Sequence, residues 1–178
     1  LRIHVHLKII TVMNYKKIIL LVLVALSMQL AKAQDRPTDF LPADFHEGRR
    51  QAVREMMPPN SVAIFFANPV RNRANDVDYV YHQDPDFYYL TGYHEPNAVL
   101  MIFSEMQNGQ EGTYNEILFV QERDPRAEQW NGKRLGVEGA KELLGFSKVY
   151  NGSEFATSNI DLKSFDNVLF FDFDNDVR

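Results

Sequence analysis

The stretch Asp76–Pro96, DVDYVYHQDPDFYYLTGYHEP, constrains local structure more than any other part of this chain. Asp84 directly precedes Pro85, which places a carboxylate at a helix cap and a proline at the first helical position. Asp86 adds negative charge where the helix dipole favours it. Phe87 and Leu90 share one face, Gly92 offers the left-handed residue that ends a helix, and Pro96 forbids continuation. A short capped helix over Pro85–Thr91 is expected, packed by aromatics between two strands.

The rest of the chain supplies those strands. SVAIFFA (Ser61–Ala67) is a short apolar run between Pro59-Asn60 and Asn68-Pro69, the signature of a buried strand. Ala98–Phe103 is a second buried strand. Glu116–Gln121 is a third, joined to the second as a hairpin through Asn108-Gly109 and Glu111-Gly112. Asn167–Phe173 is the last. Phe45, Arg49, Ala52, Val53 and Met56 recur at helical spacing, so Phe45–Met57 reads as a helix stopped by Pro58-Pro59, with Asp44 and Glu47 as a capping-box variant. Glu138–Leu144 is a short helix closed by Gly145, and Ser153–Phe165 is expected to be helical. Asn68–Asp78 and Glu122–Gly136 read as polar loops. Strands alternating with helices, with one hairpin, give an α/β class: a mixed sheet with flanking helices.

The first residues stand outside that fold. Lys16-Lys17, the apolar run Ile18–Leu26 and Ala31-Lys-Ala33 compose a secretory signal peptide over residues 13–33, cleaved before Gln34. The run is shorter than the ~20 residues of a membrane-spanning helix, so no membrane attachment is expected after cleavage. Leu1–Val12 precede Met13 and read as upstream translation. Residues 34–43 form a linker, and 44–178 the domain. The product is expected to be exported, either periplasmic or secreted. A net charge of −5 leaves no basic footprint for nucleic acid. The absence of cysteine excludes disulfides, thiolate metal sites and a cysteine nucleophile.

Several side chains suggest chemistry. His82, Asp84, Asp86, His94 and Glu95 are metal-ligand types. Asp84 is better used as a helix cap, however, and the histidines flank a turn without helical spacing, so structural roles are expected. Asp172, Asp174 and Asp176 end the last strand in a way similar to the first motif of haloacid-dehalogenase-type phosphatases. The motifs that must follow are missing, which leaves a solvated strand end. There is no nucleophile elbow and no phosphate-cradling glycine loop. Trp130, the only tryptophan, sits off any apolar face. It is either a packing anchor or a flat surface for an apolar ligand group.

Three ordered motifs carry a resemblance. They are Arg49-Arg50 with Met57-Pro58, then Arg73-Ala-Asn-Asp76 through Tyr81–Pro96, then Leu118-Phe-Val with Arg123-Asp-Pro and Trp130-Asn-Gly-Lys-Arg-Leu-Gly136. From about Phe45 to Arg178 the chain resembles the N-terminal domain of aminopeptidase P, an Xaa-Pro aminopeptidase of the creatinase/prolidase-type metallopeptidases. The resemblance implies a ribonuclease-H-like mixed sheet. It also implies an enzyme that removes the N-terminal residue of peptides with proline second, using two Mn²⁺ ions whose bridging hydroxide attacks the carbonyl. The Asp, His and Glu ligands of those ions belong to a C-terminal pita-bread domain that this chain does not contain. No catalytic or metal residue therefore carries over, and this chain alone is expected to bind no cofactor and to be inactive. The implied role is to shape the substrate cleft and mediate contacts in a homo-oligomer. Asp76 would face that cleft, Trp130 would wall it and Arg134 would supply nearby charge, against the alternative that Asp76 is an ordinary exposed loop residue. The competing reading is a stand-alone exported module that binds peptides or partners without cutting.

Overall fold

The computed structural model describes residues 15, 17–24, 41–109 and 112–171, and the chain divides into two units, Leu1–Phe40 and Leu41–Arg178. In the first unit residues 17–24 are helical, a stretch that overlaps the expected apolar run from Ile18 onward. The expected cleavage site and most of the linker lie outside the described residues, as do Asp172, Asp174 and Asp176. Among the described residues no helix is long and apolar enough to cross a membrane.

The second unit is built on five strands: β1 (Ser61–Phe66), β4 (Val99–Gly109), β5 (Gly112–Val120), β6 (Val149–Asn151) and β7 (Asn167–Phe170), in the order β6-β5-β4-β1-β7. β4 runs antiparallel to β1 and β5, while β6 joins β5 and β7 joins β1 in parallel. All strands but β4 thus point one way. The expected hairpin of the second and third strands is present, closing at the pair Gly109 and Gly112.

Both faces of the sheet are buried, which is why its inner strands read as unbroken apolar runs. One face presents Ala63, Leu100, Ile102, Leu118 and Val120 to the helices, and the other gathers Val62, Ile64, Met101, Phe103, Ile117 and Phe119. Three helices cover the first face: α1 (Ala43–Met56), α2 (Pro85–Thr91) and α4 (Gly136–Leu144). α2 forms as its sequence dictates. Asp84 Oδ1 accepts from Phe87 N at 2.8 Å, Pro85 occupies the first turn, and Gly92 closes the helix at φ +70°.

Several expectations are corrected. α1 starts at Ala43, with Pro42 at its cap, so Asp44 bonds only the adjacent Phe45 N at 2.9 Å and no capping box with Glu47 forms. Its inward face is not the one marked by Phe45, Arg49, Ala52 and Met56. His46 and Arg50 are buried, whereas Met56 is 78% exposed. Ser153–Phe165 is not a helix but carries two 3₁₀ turns, Gly152–Glu154 and Leu162–Ser164. Its short polar side chains bond their own backbone, as in Ser158 Oγ to Phe155 O at 2.8 Å and Lys163 N to Asp161 Oδ1 at 3.0 Å. The loop Asn68–Asp78 contains a hairpin of β2 (Asn72–Ala74) and β3 (Val77–Asp78). The loop Glu122–Gly136 contains the one-turn helix α3 (Glu128–Asn131). β6 escaped the sequence reading because three residues give no period to detect.

Candidate functional site: the loops at the carboxyl ends of the strands

Because β1, β5, β6 and β7 run in one direction, the segments that follow them leave the same end of the sheet, where open α/β sheets carry their ligand sites. The segment after β1 holds Asp76, and the segment after β5 holds Trp130 and Arg134. An open hollow of about 560 Å³ lies there, lined by Phe66, Asn97, Gln121, Glu122, Arg134 and Ser153 among others.

Asp76 sits in the two-residue turn between β2 and β3 and is exposed. Asn75 takes φ +52°, the left-handed conformation such turns require. Asn72 Nδ2 braces the hairpin, reaching Asn75 O at 3.0 Å, Val77 O at 3.3 Å and Asp78 Oδ1 at 3.2 Å.

Trp130 is 88% exposed, so it is not a packing anchor of this domain. It rides on α3, whose turn is started by Asp124: Oδ1 accepts from Arg126 N at 2.9 Å and Ala127 N at 3.2 Å. Those bonds hold the Asp124 carboxyl below the usual range. Arg123 grips Glu128 through bonds of 2.6 and 2.8 Å, and this lowers the Glu128 pKa as well. Arg134 Nη1 donates to Glu122 O at 2.7 Å, folding the segment back on itself. Trp130 and Arg134 therefore share one braced loop, while Asp76 stands on a separate hairpin.

Beneath both loops runs a polar chain that the sequence reading missed. Gln83 Oε1 accepts from Asn68 N at 3.1 Å and Asp84 N at 2.9 Å, and lies 2.9 Å from the Tyr81 hydroxyl. Burial and the Asp84 charge push the Tyr81 phenol up to about 12. Gln83 Nε2 donates to Tyr93 O at 3.2 Å and Glu95 O at 2.9 Å. Glu95 Oε2 accepts from the Tyr93 hydroxyl at 2.9 Å, and Oε1 accepts from Leu135 N at 2.6 Å. The Tyr93 hydroxyl also accepts from Gln121 N at 3.0 Å. Burial raises the Glu95 pKa, and burial next to the Glu95 charge raises that of Tyr93.

Three of the five metal-type residues are engaged in other ways. Asp84 caps α2, Glu95 takes the bonds just described, and the His94 ring lies 4.5 Å from that of Tyr88. Burial, aided by the nearby His46, lowers the His94 pKa. Among the described residues no group of three or more His, Asp or Glu is arranged to hold a metal ion.

Comparison with known proteins adds four findings. The family model described as aminopeptidase P, N-terminal domain, matches residues 46–168. The chain is 42% identical over 117 residues to the Xaa-Pro aminopeptidase of Haemophilus influenzae, covering 66% of this chain and 26% of that protein. Against the Xaa-Pro aminopeptidase of Escherichia coli it is 43% identical over 107 residues, covering 60% and 23%. Its fold is similar to a solved structure of E. coli aminopeptidase P with the inhibitor Pro-Leu, at TM-score 0.64 and 36% identity, covering 73% of this chain and 29% of that one. The chain thus spans about a quarter of the length of these curated relatives.

Proposed function

The chain belongs to the aminopeptidase P N-terminal domain family, and from that membership we propose that it is the non-catalytic part of an exported Xaa-Pro aminopeptidase. In this reading the whole protein removes the residue that precedes proline at the start of a peptide. Two manganese ions serve that reaction, held by residues outside this chain. The present domain shapes the entrance to the cleft and supplies contacts between subunits of a homo-oligomer.

The observation that carries the reading is Trp130. An indole exposed to 88% sits on a loop braced by Asp124, Arg123 and Glu128 while contributing nothing to its own core. Exposed aromatics supply contact area at low entropic cost. Arg134 in the same segment and Asp76 on the hairpin at the same end of the sheet provide opposite charges for the polar ends of a short peptide.

The test is peptide cleavage by the full-length gene product in the presence of Mn²⁺. Release of the first residue from an Xaa-Pro peptide is expected, with residues 34–178 alone inactive. Trp130→Ala is expected to raise KM about tenfold. Cleavage by residues 34–178 alone, or a Trp130→Ala enzyme with wild-type kinetics, overturns the respective part of the reading.

A further inference from the structure

One carboxylate grips both ends of the segment that presents Trp130. Glu95 Oε1 holds Leu135 N at 2.6 Å, at the far end, next to Arg134. Glu95 Oε2 holds the Tyr93 hydroxyl at 2.9 Å, and that hydroxyl holds Gln121 N at 3.0 Å, at the near end where β5 stops. The Arg123–Glu128 pair, the Asp124 turn and the Arg134–Glu122 bond are internal to the segment. They set its shape, whereas Glu95 and Tyr93 set its place on the sheet.

The grip is itself held from behind. Gln83 donates to the backbone carbonyls of both Tyr93 and Glu95, and its own oxygen accepts from Asn68 N in the segment that leads to Asp76. A single amide thus ties the Asp76 segment to the residue that ties down the Trp130 segment. Tyr93 is 1% exposed, so this frame is buried under the loops it serves.

We propose that Glu95 is a positioning residue for the Trp130 loop: its carboxylate fixes both ends of residues 121–135 and so sets where Trp130 and Arg134 stand relative to the Asp76 hairpin. The inference rests on the reading of Trp130 as a wall of the cleft. A carboxylate suits the task because it accepts from the Leu135 amide and the Tyr93 phenol at once, and charge-assisted bonds are the stronger ones. Small displacements of a positioning element carry large kinetic cost.

Two measurements test it. In the 178-residue chain Trp130 is the sole tryptophan, so its fluorescence anisotropy reports this loop alone. Glu95→Ala is expected to lower that anisotropy. Glu95→Gln keeps an oxygen for the Leu135 amide and is expected to restore most of it. In the full-length enzyme Glu95→Ala is expected to raise KM for an Xaa-Pro peptide about tenfold with little change in kcat. The Glu95→Ala/Trp130→Ala double variant is expected to be no worse than Trp130→Ala alone. Additive losses in the double variant, or an unchanged anisotropy and KM in both Glu95 variants beside an impaired Trp130→Ala enzyme, overturn the positioning role while leaving the cleft reading intact. An unimpaired Trp130→Ala enzyme instead overturns the cleft reading, and an anisotropy that still falls in Glu95→Ala then confines Glu95 to holding the loop.

Discussion

Arg50 meets Glu116 through two parallel hydrogen bonds, Nε to Oε2 at 2.9 Å and Nη2 to Oε1 at 3.0 Å, in the interior of the domain. The arginine is fully buried, its third nitrogen donates to Leu90 O at 2.9 Å, and its guanidinium carbon lies 3.9 Å from the centre of the Phe146 ring. Arg54 adds a second cation on Glu116 at 3.0 Å. One ion cluster therefore joins α1, the end of α2, β5 and the turn after α4. Glu116→Ala strands a buried guanidinium without its counter-charge, and a loss of about 3–5 kcal/mol in urea unfolding is expected. Arg50→Lys keeps the charge but not the fork or the stacking, and a loss of about 2 kcal/mol is expected. Equal stability of both variants and the wild type would show that the cluster does not hold these elements together.

The two ends of α2 test differently. Asp84→Ala removes the cap on Phe87 N and is expected to cost about 1 kcal/mol. Gly92→Ala is expected to cost at least about 2 kcal/mol. The residue sits at φ +70°, and its new methyl group would lie 2.8 Å from Nε2 of the buried His46, whose ring is pinned by the Nδ1 bond to Tyr89 O at 2.9 Å. Chemical denaturation that ranks Asp84→Ala as the more harmful change would contradict this account.

Sequence gave away the features that depend on near neighbours. Asp84-Pro85 through Gly92 specified α2 because every contact in its caps spans a few residues. The strands showed because both faces of the sheet are apolar. What was hidden depends on distant partners. Arg50 looks like a surface residue until Glu116, 66 positions later, is brought beside it. That is why the buried face of α1, which carries His46 and Arg50, is not visible in the helical spacing of its apolar residues. Glu95 looks like a metal ligand until Leu135, 40 positions later, arrives. Asp124-Pro125 was a missed local signal, since it starts a turn by the same device as Asp84-Pro85 but with no apolar period after it. Trp130 stands out in the sequence as the sole tryptophan, off any apolar face, while its place at a cleft beside Arg134 comes from the family resemblance; only the folded chain shows that the indole is left outside the core.

The shared Asp-Pro device allows a direct contrast. Asp124→Ala removes the two bonds that start the turn under Trp130, in a segment exposed to solvent. Global unfolding should be almost unchanged, while amide exchange at Trp130 and Asn131, whose nitrogens bond Ala127 O at 3.0 and 2.9 Å, should speed up. Asp84→Ala should do the reverse. A global loss from Asp124→Ala would mean that the Trp130 segment is part of the core fold.

Glu95 and Glu128 should respond to pH with opposite sign. The Arg123 bonds lower the Glu128 pKa from its ordinary 4.5, so its contribution to stability is complete above that value and is lost as pH falls through the lowered one. Glu128→Gln should therefore lose amide protection at Trp130 and Asn131 near neutrality, a difference that closes as pH falls through the lowered value. Burial raises the Glu95 pKa above the same ordinary value, so its contribution is complete below 4.5 and is lost as pH rises through the raised one. Glu95→Gln should gain on wild type as pH rises through that window. The lowered His94 pKa adds a fall in stability as pH drops from 6.5, but both variants and the wild type share it, and it cancels in the differences. Urea unfolding of wild type and Glu95→Gln, and amide protection in wild type and Glu128→Gln, between pH 3 and 8 check the two signs. Difference curves that run parallel, or slopes of the same sign, would show that Glu95 is not buried as a charge beneath the Trp130 loop.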